Sequence, residues 1–256
     1  MQRRNFLGLI SAGLGGGCAP AVVARAPVVP RARIRAICFD LFTIFDPRPV
    51  VAAARTVVGD EADALCEAWR TKQFGYSWLR GSAEQYVDFR AVTHEALLAA
   101  ERTRKLVLTD AQRNHLVDQY SALPPWPDTR DALAGFRKAG LRLATLANYS
   151  PAMQQRLIGG AGLLDAFDAL ISTDAARTFK PNPRAYGLGP RVLGLKREEI
   201  AFSAFGGWDA AGAKWFGFPT FWVNRLGVAS EELPPGPDAT GPTLTELGAF
   251  VERWPG

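Results

Sequence analysis

The chain has 256 residues, 48% hydrophobic and 21% charged, enough to bury a sizeable core as one domain or as a core with one inserted module. Its formal charge of +5 drops by the two positive charges of Arg3 and Arg4 to +3 once residues 1–21, which hold no acid, are set aside. A basic excess so small, and scattered rather than striped, excludes a nucleic-acid surface, while three cysteines and two isolated histidines (His94, His115) exclude a disulfide framework or a zinc site.

Residues 1–26 read as an address and not as part of the fold. Arg3-Arg4 precede Asn5-Phe6-Leu7 and a weakly apolar stretch, rich in glycine and alanine, from Gly8 to Val23. A twin arginine before so modest a hydrophobic stretch resembles a twin-arginine export signal. Ala19-Pro20-Ala21 offers a small-residue cleavage site, and Ala24-Arg25-Ala26 is the weaker candidate because Pro27 follows it. Cys18 invites a lipid-anchor reading, but Gly15 stands where that motif usually has leucine. No later apolar run is long enough to span a bilayer. The expected place of the mature chain is a bacterial periplasm.

Pro27 and Pro30 mark a short linker up to residue 33. The apolar run at 34–39, which contains Cys38, reads as a buried strand ending in a loop, Asp40-Leu41-Phe42-Thr43. Residues 47–126 have a different texture. Ala64, Leu65, Ala68 and Trp69 recur at helical spacing around Cys66, as do Tyr86, Phe89, Val92, Thr93, Ala96 and Leu97. They predict an all-helical insert whose aromatics mostly serve packing. From Asp128 the pattern alternates. A helix at 129–139 stops at Gly140, where a left-handed cap is natural. Strands are expected at 141–146, 169–172, 200–203 and 220–224, separated by helices beginning near Pro151, after Pro183 and at 209–215. Such alternation predicts an α/β fold: a Rossmann-like parallel-sheet core, residues 27–46 and 127–256, with an inserted all-helical cap at 47–126. Ligands of such sheets bind beyond the carboxyl ends of the strands.

The loops at those ends carry Asp40, Asn148, Lys180 and Asp209. Singly each is ordinary, and Asp209 would serve equally as a helix N-cap. Together at one sheet edge they supply two carboxylates, a lysine to offset them and an amide donor. A carboxylate nucleophile in a dry cleft needs such a cation to stay ionised. A strand ending in Asp, an inserted cap, then Asn, Lys and a final Asp, in that order, resembles the haloacid dehalogenase superfamily over residues 34–224. Phosphatases of that superfamily carry an acid two places after the nucleophile, where Phe42 stands here and has no proton to give. The chain is more similar to the L-2-haloacid dehalogenase branch. That similarity rests on Phe42 and on the cap stretch Trp69-Arg70-Thr71-Lys72-Gln73-Phe74-Gly75-Tyr76-Ser77-Trp78-Leu79-Arg80. Three later motifs carry it too: Leu146-Ala147-Asn148-Tyr149-Ser150-Pro151, Phe179-Lys180-Pro181-Asn182-Pro183-Arg184-Ala185-Tyr186 and Trp208-Asp209-Ala210-Ala211-Gly212-Ala213-Lys214.

The resemblance implies roles. Asp40 displaces halide from C2 of a small 2-haloacid, Lys180 keeps Asp40 anionic, and Asp209 activates the water that hydrolyses the resulting ester to a 2-hydroxy acid. Arg70, reaching in from the cap, and Asn148 cradle the departing halide. Phe42, Thr43 and Trp208 belong to the substrate pocket, and Tyr186 matches a family tyrosine with either an active-site or a packing role. No metal and no cofactor are implied, and a homodimer is compatible with the family.

Three departures set this chain apart. The family glycine between the aromatic and the threonine is missing, so Phe42 joins Thr43 directly. Ala147 replaces a serine whose hydroxyl meets the substrate carboxylate. Ala204-Phe205-Gly206 replace a Ser-Ser-Asn run that helps position the second Asp and its water. Each lost hydrogen bond to a charged group costs about 1.5–3 kcal/mol. Two other readings therefore stand beside a dehalogenase: a catalytically impaired relative that binds a small anion or a protein partner, and a hydrolase of another ester or a phosphate.

Overall fold

The computed structural model describes residues 33–254, so the expected export signal and nearly all of the linker lie outside the described residues. Six strands make one parallel sheet: β1 (Ala36–Phe39), β2 (Arg142–Ala147), β3 (Ala169–Ser172), β4 (Ile200–Ala204), β5 (Thr220–Val223) and β6 (Ala239–Gly241). Their spatial order is β3-β2-β1-β4-β5-β6, with every neighbouring pair parallel. Phe39 lies level with Thr145 and Ser203. The three central strands therefore stop near the same line, and whatever follows them shares one edge.

Eleven α-helices accompany the sheet in the described residues. α1 (Leu41–Ile44) follows β1 at once. The cap holds α2 (Pro49–Val58), α3 (Ala62–Ser82), α4 (Phe89–Thr103) and α5 (Asp110–Gln119). Around the sheet lie α6 (Thr129–Lys138), α7 (Pro151–Gly160), α8 (Pro183–Tyr186), α9 (Leu188–Leu193), α10 (Gly207–Phe216) and α11 (Leu244–Arg253).

Side chains alternate across a strand, so β1 feeds two cores. Ile37 and Phe39 join Leu133 and Phe136 of α6, Leu157 of α7 and Leu247 of α11. Ala36 and Cys38 join Leu188 and Leu193 of α9 and Ala210 and Ala213 of α10. The first of these cores runs on without a break into the cap, through Leu65, Trp69, Phe89, Val92 and Leu97. Inside the cap, the Trp69 indole donates to the Thr93 carbonyl at 2.7 Å and the Gln73 amide to the Thr93 hydroxyl at 2.8 Å, which fixes α3 against α4.

Several local readings change. The segment expected as a loop after β1 is the one-turn helix α1, with Asp40 as its N-cap. Asp209 is not an N-cap: Gly206 takes that position and Asp209 sits in the first turn of α10. The helix expected after Pro183 is broken into α8 and α9, because Pro190 has no N–H to return to the carbonyl of Tyr186. Beyond residue 224 the sequence reading stopped, yet β6 completes the sheet and α11 packs on it. Gly140 does take the expected left-handed conformation, with φ +78°.

Candidate active site

Asp40 is held before any ligand arrives. Its backbone N–H donates to Ser203 O of β4 at 2.9 Å, and its Oδ1 accepts the N–H of Phe42 at 2.8 Å. This is an N-cap bond, and it orients the carboxylate so that Oδ2 faces the neighbouring loop. The turn behind it is secured from outside. Trp126 Nε1 donates to Phe42 O at 2.9 Å, Arg225 Nη2 to Thr43 O at 2.8 Å, and Thr129 Oγ1 to Ile44 O at 2.9 Å. Arg225 is itself pinned, 2.8 Å from an Asp128 carboxylate oxygen and 5.1 Å from the centre of the Trp126 ring.

Lys180 arrives on the loop before α8. Asn148, immediately after β2, places it: the Asn148 side-chain carbonyl accepts the backbone N–H of Lys180 at 2.9 Å. That bond leaves the Asn148 amide N–H groups for the cavity it lines. The Lys180 ammonium, 1% exposed, lies 2.7 Å from Asp40 Oδ2 and 2.6 Å from Asp209 Oδ2. The other oxygen of Asp209 accepts the Tyr186 hydroxyl at 2.6 Å. Asp209 is thus positioned without a hydroxyl at Ala204 or an amide at Gly206. Gly212 makes room for this bond, since a Cβ there would sit 2.6 Å from the Tyr186 oxygen.

Burial opposes the charge on Lys180, but Asp209 and Asp40 outweigh it and raise its pKa above the ordinary lysine value. For Asp209 burial comes first and Asp40 adds to it; against the pull of Lys180 they lift the carboxyl to about 6. Burial, then Asp209, push Tyr186 well above the usual phenol range, so it stays protonated as a donor. The triad is one cation between two carboxylates, the arrangement expected to keep a nucleophile ionised where water is scarce.

Over the triad lies a cavity of about 340 Å³ between sheet edge and cap. Phe42, Phe89, Tyr120, Tyr149, Phe205 and Trp208 give it aromatic walls, and Arg70 enters it from α3. Arg70 pairs with no carboxylate among the described residues, so its guanidinium remains available to an anion. No cluster of three or more His, Cys, Asp or Glu suited to a metal occurs among the described residues.

Residues 34–217 match the family model described as haloacid dehalogenase-like hydrolase. The chain is a haloacid dehalogenase-like hydrolase. Over 86% of its length the hydrolase is 39% identical to the (S)-2-haloacid dehalogenase of Pseudomonas sp. (strain YL), covering 94% of that protein. It is 38% identical to a haloacetate dehalogenase of Moraxella sp. (strain B), over 84% of this chain and 96% of the relative. Its fold is similar to the L-2-haloacid dehalogenase from Xanthobacter autotrophicus with chloropropionic acid covalently bound. That match has a TM-score of 0.80 and 35% identity, and covers 86% of the hydrolase and 99% of the other chain.

Within the hydrolase, Asp40, Phe42, Arg70, Asn148, Trp208 and Asp209 line the cavity, with Lys180 at its base. Two expected pocket residues do not reach it. Thr43 is fully buried in α1 and spends its hydroxyl on Asp40 O at 2.7 Å. Tyr186 is also fully buried and supports Asp209 from behind rather than touching a ligand. Gly206 is explained by Trp208, whose indole nitrogen would lie 2.7 Å from any Cβ at that position. Sequence reasoning missed Gln73, Tyr120 and Phe205 as cavity residues. Gln73, one helical turn beyond Arg70, was open to a helical-face argument; Tyr120 and Phe205 carried no signal beyond being aromatic.

Proposed function

We propose that the hydrolase is an (S)-2-haloacid dehalogenase working through an ester on Asp40. The observation that carries this is the Lys180 ammonium at 2.7 Å from Asp40 and 2.6 Å from Asp209 beneath an aromatic cavity, with Phe42 where a phosphatase acid would stand. The names of the relatives and the covalently bound chloropropionic acid in one of them agree with it.

An Asp40 oxygen attacks C2 from the side opposite the halogen. The C–O bond forms as the carbon–halogen bond breaks, and halide leaves with the bonding pair toward Arg70 and the Asn148 amide. Asp209 then takes a proton from water as the water oxygen adds to Cγ of Asp40. The adduct collapses by breaking the ester C–O bond, and Asp209 returns its proton to the departing alkoxide to give the 2-hydroxy acid. Asp40 loses the remaining water proton to solvent. Displacement inverts C2 and hydrolysis does not touch it, so (S)-2-chloropropionate gives (R)-lactate.

One turnover of excess enzyme in heavy-oxygen water tests the scheme. The label is expected in Asp40, and the Asp40→Asn variant is expected to release no halide from 2-chloropropionate. Label found only in the product after that first turnover, or equal halide release by the variant, would sink the proposal.

A further inference from the structure

Tyr149 follows Asn148 at the tip of β2, is 2% exposed and lines the cavity beside Asp40. Its ring is accounted for: it stacks on Phe89 of the cap at 5.2 Å between centroids and meets Phe42 edge-on at 5.9 Å. Its hydroxyl is not. The oxygen is buried and has no hydrogen-bond partner among the described residues. Buried hydroxyls are rarely left so, and an unpaired one on a residue that lines a ligand cavity calls for an explanation. Tyr186, another buried phenol near the triad, spends its proton on Asp209.

Burial above all, then the Tyr120 hydroxyl and the Asp40 carboxylate, keep the Tyr149 phenol protonated, and Tyr149 and Asp40 line the same cavity. It is therefore a donor awaiting an anionic acceptor. Among the cavity's donors, Arg225, Arg70 and the Asn148 amide are spoken for. Arg225 is bound to Asp128 and Thr43 O, while Arg70 and the Asn148 amide face the departing halide. In-line attack sends the halide away from Asp40, so the substrate carboxylate must project sideways from the C2–Asp40 axis. β2 is the strand beside β1, and Ala147 at its end has no hydroxyl to offer.

We propose that the Tyr149 hydroxyl donates a hydrogen bond to the carboxylate of the bound 2-haloacid, fixing C2 in front of Asp40. The assignment rests on the dehalogenase reading for the identity of the ligand but not for the existence of a carboxylate site.

The test is Tyr149→Phe, which keeps the ring and removes only the oxygen. Without ligand, its melting temperature is expected to equal or exceed that of wild type, since an unpaired polar atom leaves the interior. With (S)-2-chloropropionate, KM for halide release is expected to rise about tenfold to a hundredfold, with a smaller change in kcat. With (R)-lactate, the ligand-induced rise in melting temperature seen in wild type is expected to shrink or vanish. If wild type releases no halide but the lactate effect is lost in the variant, the dehalogenase reading fails and the carboxylate site stands. Unchanged KM together with an unchanged lactate effect overturns the proposal, leaving Tyr149 as a packing residue.

Discussion

Burial lifts Asp209 to about 6, and Asp40 contributes in the same direction. In its proposed role as the base that activates water, Asp209 must be deprotonated. Hydrolysis of the ester should therefore slow about tenfold for each pH unit below 6, while displacement of halide need not follow the same curve. Stability responds in the opposite sense. The folded state holds this proton more tightly than the unfolded chain, so the contribution is complete below the ordinary value of 3.8 and is lost as pH rises through about 6. Rapid-quench measurement of ester decay at pH 5, 6 and 7 checks the catalytic half, and a flat profile removes Asp209 from the role of base. At this scale much was legible in the sequence. Asp40, Asn148, Lys180 and Asp209 stand out because, ordinary one by one, they bring two carboxylates, a cation and an amide to one edge of the sheet. Thr43, Tyr186 and Tyr149 were harder, since a hydroxyl acts wherever its rotamer sends it and no spacing rule encodes that direction.

The one-turn helix α1 is too short to stand alone, as isolated helices of this length do not persist in water. Its orientation, and with it the aim of Asp40, comes from the carbonyl bonds supplied by Trp126, Thr129 and Arg225. Arg225→Met removes one of these bonds and strands Asp128 beside a vacated guanidinium site. Breaking this half-buried pair is expected to cost about 1–3 kcal/mol in urea unfolding. It should also lower kcat more than it raises KM, because the nucleophile loses its aim while the aromatic walls of the cavity remain. A variant that unfolds early yet keeps full kcat would show that Arg225 serves stability alone. The strands were readable as compact apolar runs, as was the Gly140 stop. α1 was not, because four residues leave no periodicity to detect. β6 escaped because a turn-rich stretch, Pro234-Pro235-Gly236-Pro237, precedes a three-residue strand that has no pattern of its own. By contrast, α11 was legible in the Thr243–Glu246 capping box and in Leu244, Leu247 and Phe250 at helical spacing.

For the whole molecule, the alternation of strands and helices announced a parallel sheet, but not the order β3-β2-β1-β4-β5-β6 that sets β1 and β2 side by side. Nor could it show that the cap shares one continuous apolar core with a face of the sheet. That shared core holds Arg70 opposite Asp40 without a separate hinge domain to align. The junction is marked by aromatics from both layers: Trp208 of α10 lies 5.4 Å from Phe74 and 5.6 Å from Trp78 of α3, ring centre to ring centre. If the chamber liberates halide as proposed, the indole in its wall is a built-in optical gauge. Heavy anions drain the excited state of tryptophan on close approach, so 2-bromo- or 2-iodopropionate should dim the emission in a burst that matches the enzyme concentration. Recovery would then time the escape of the ion. Trp208→Phe should abolish that transient, while a light chloride product should leave the glow nearly undisturbed.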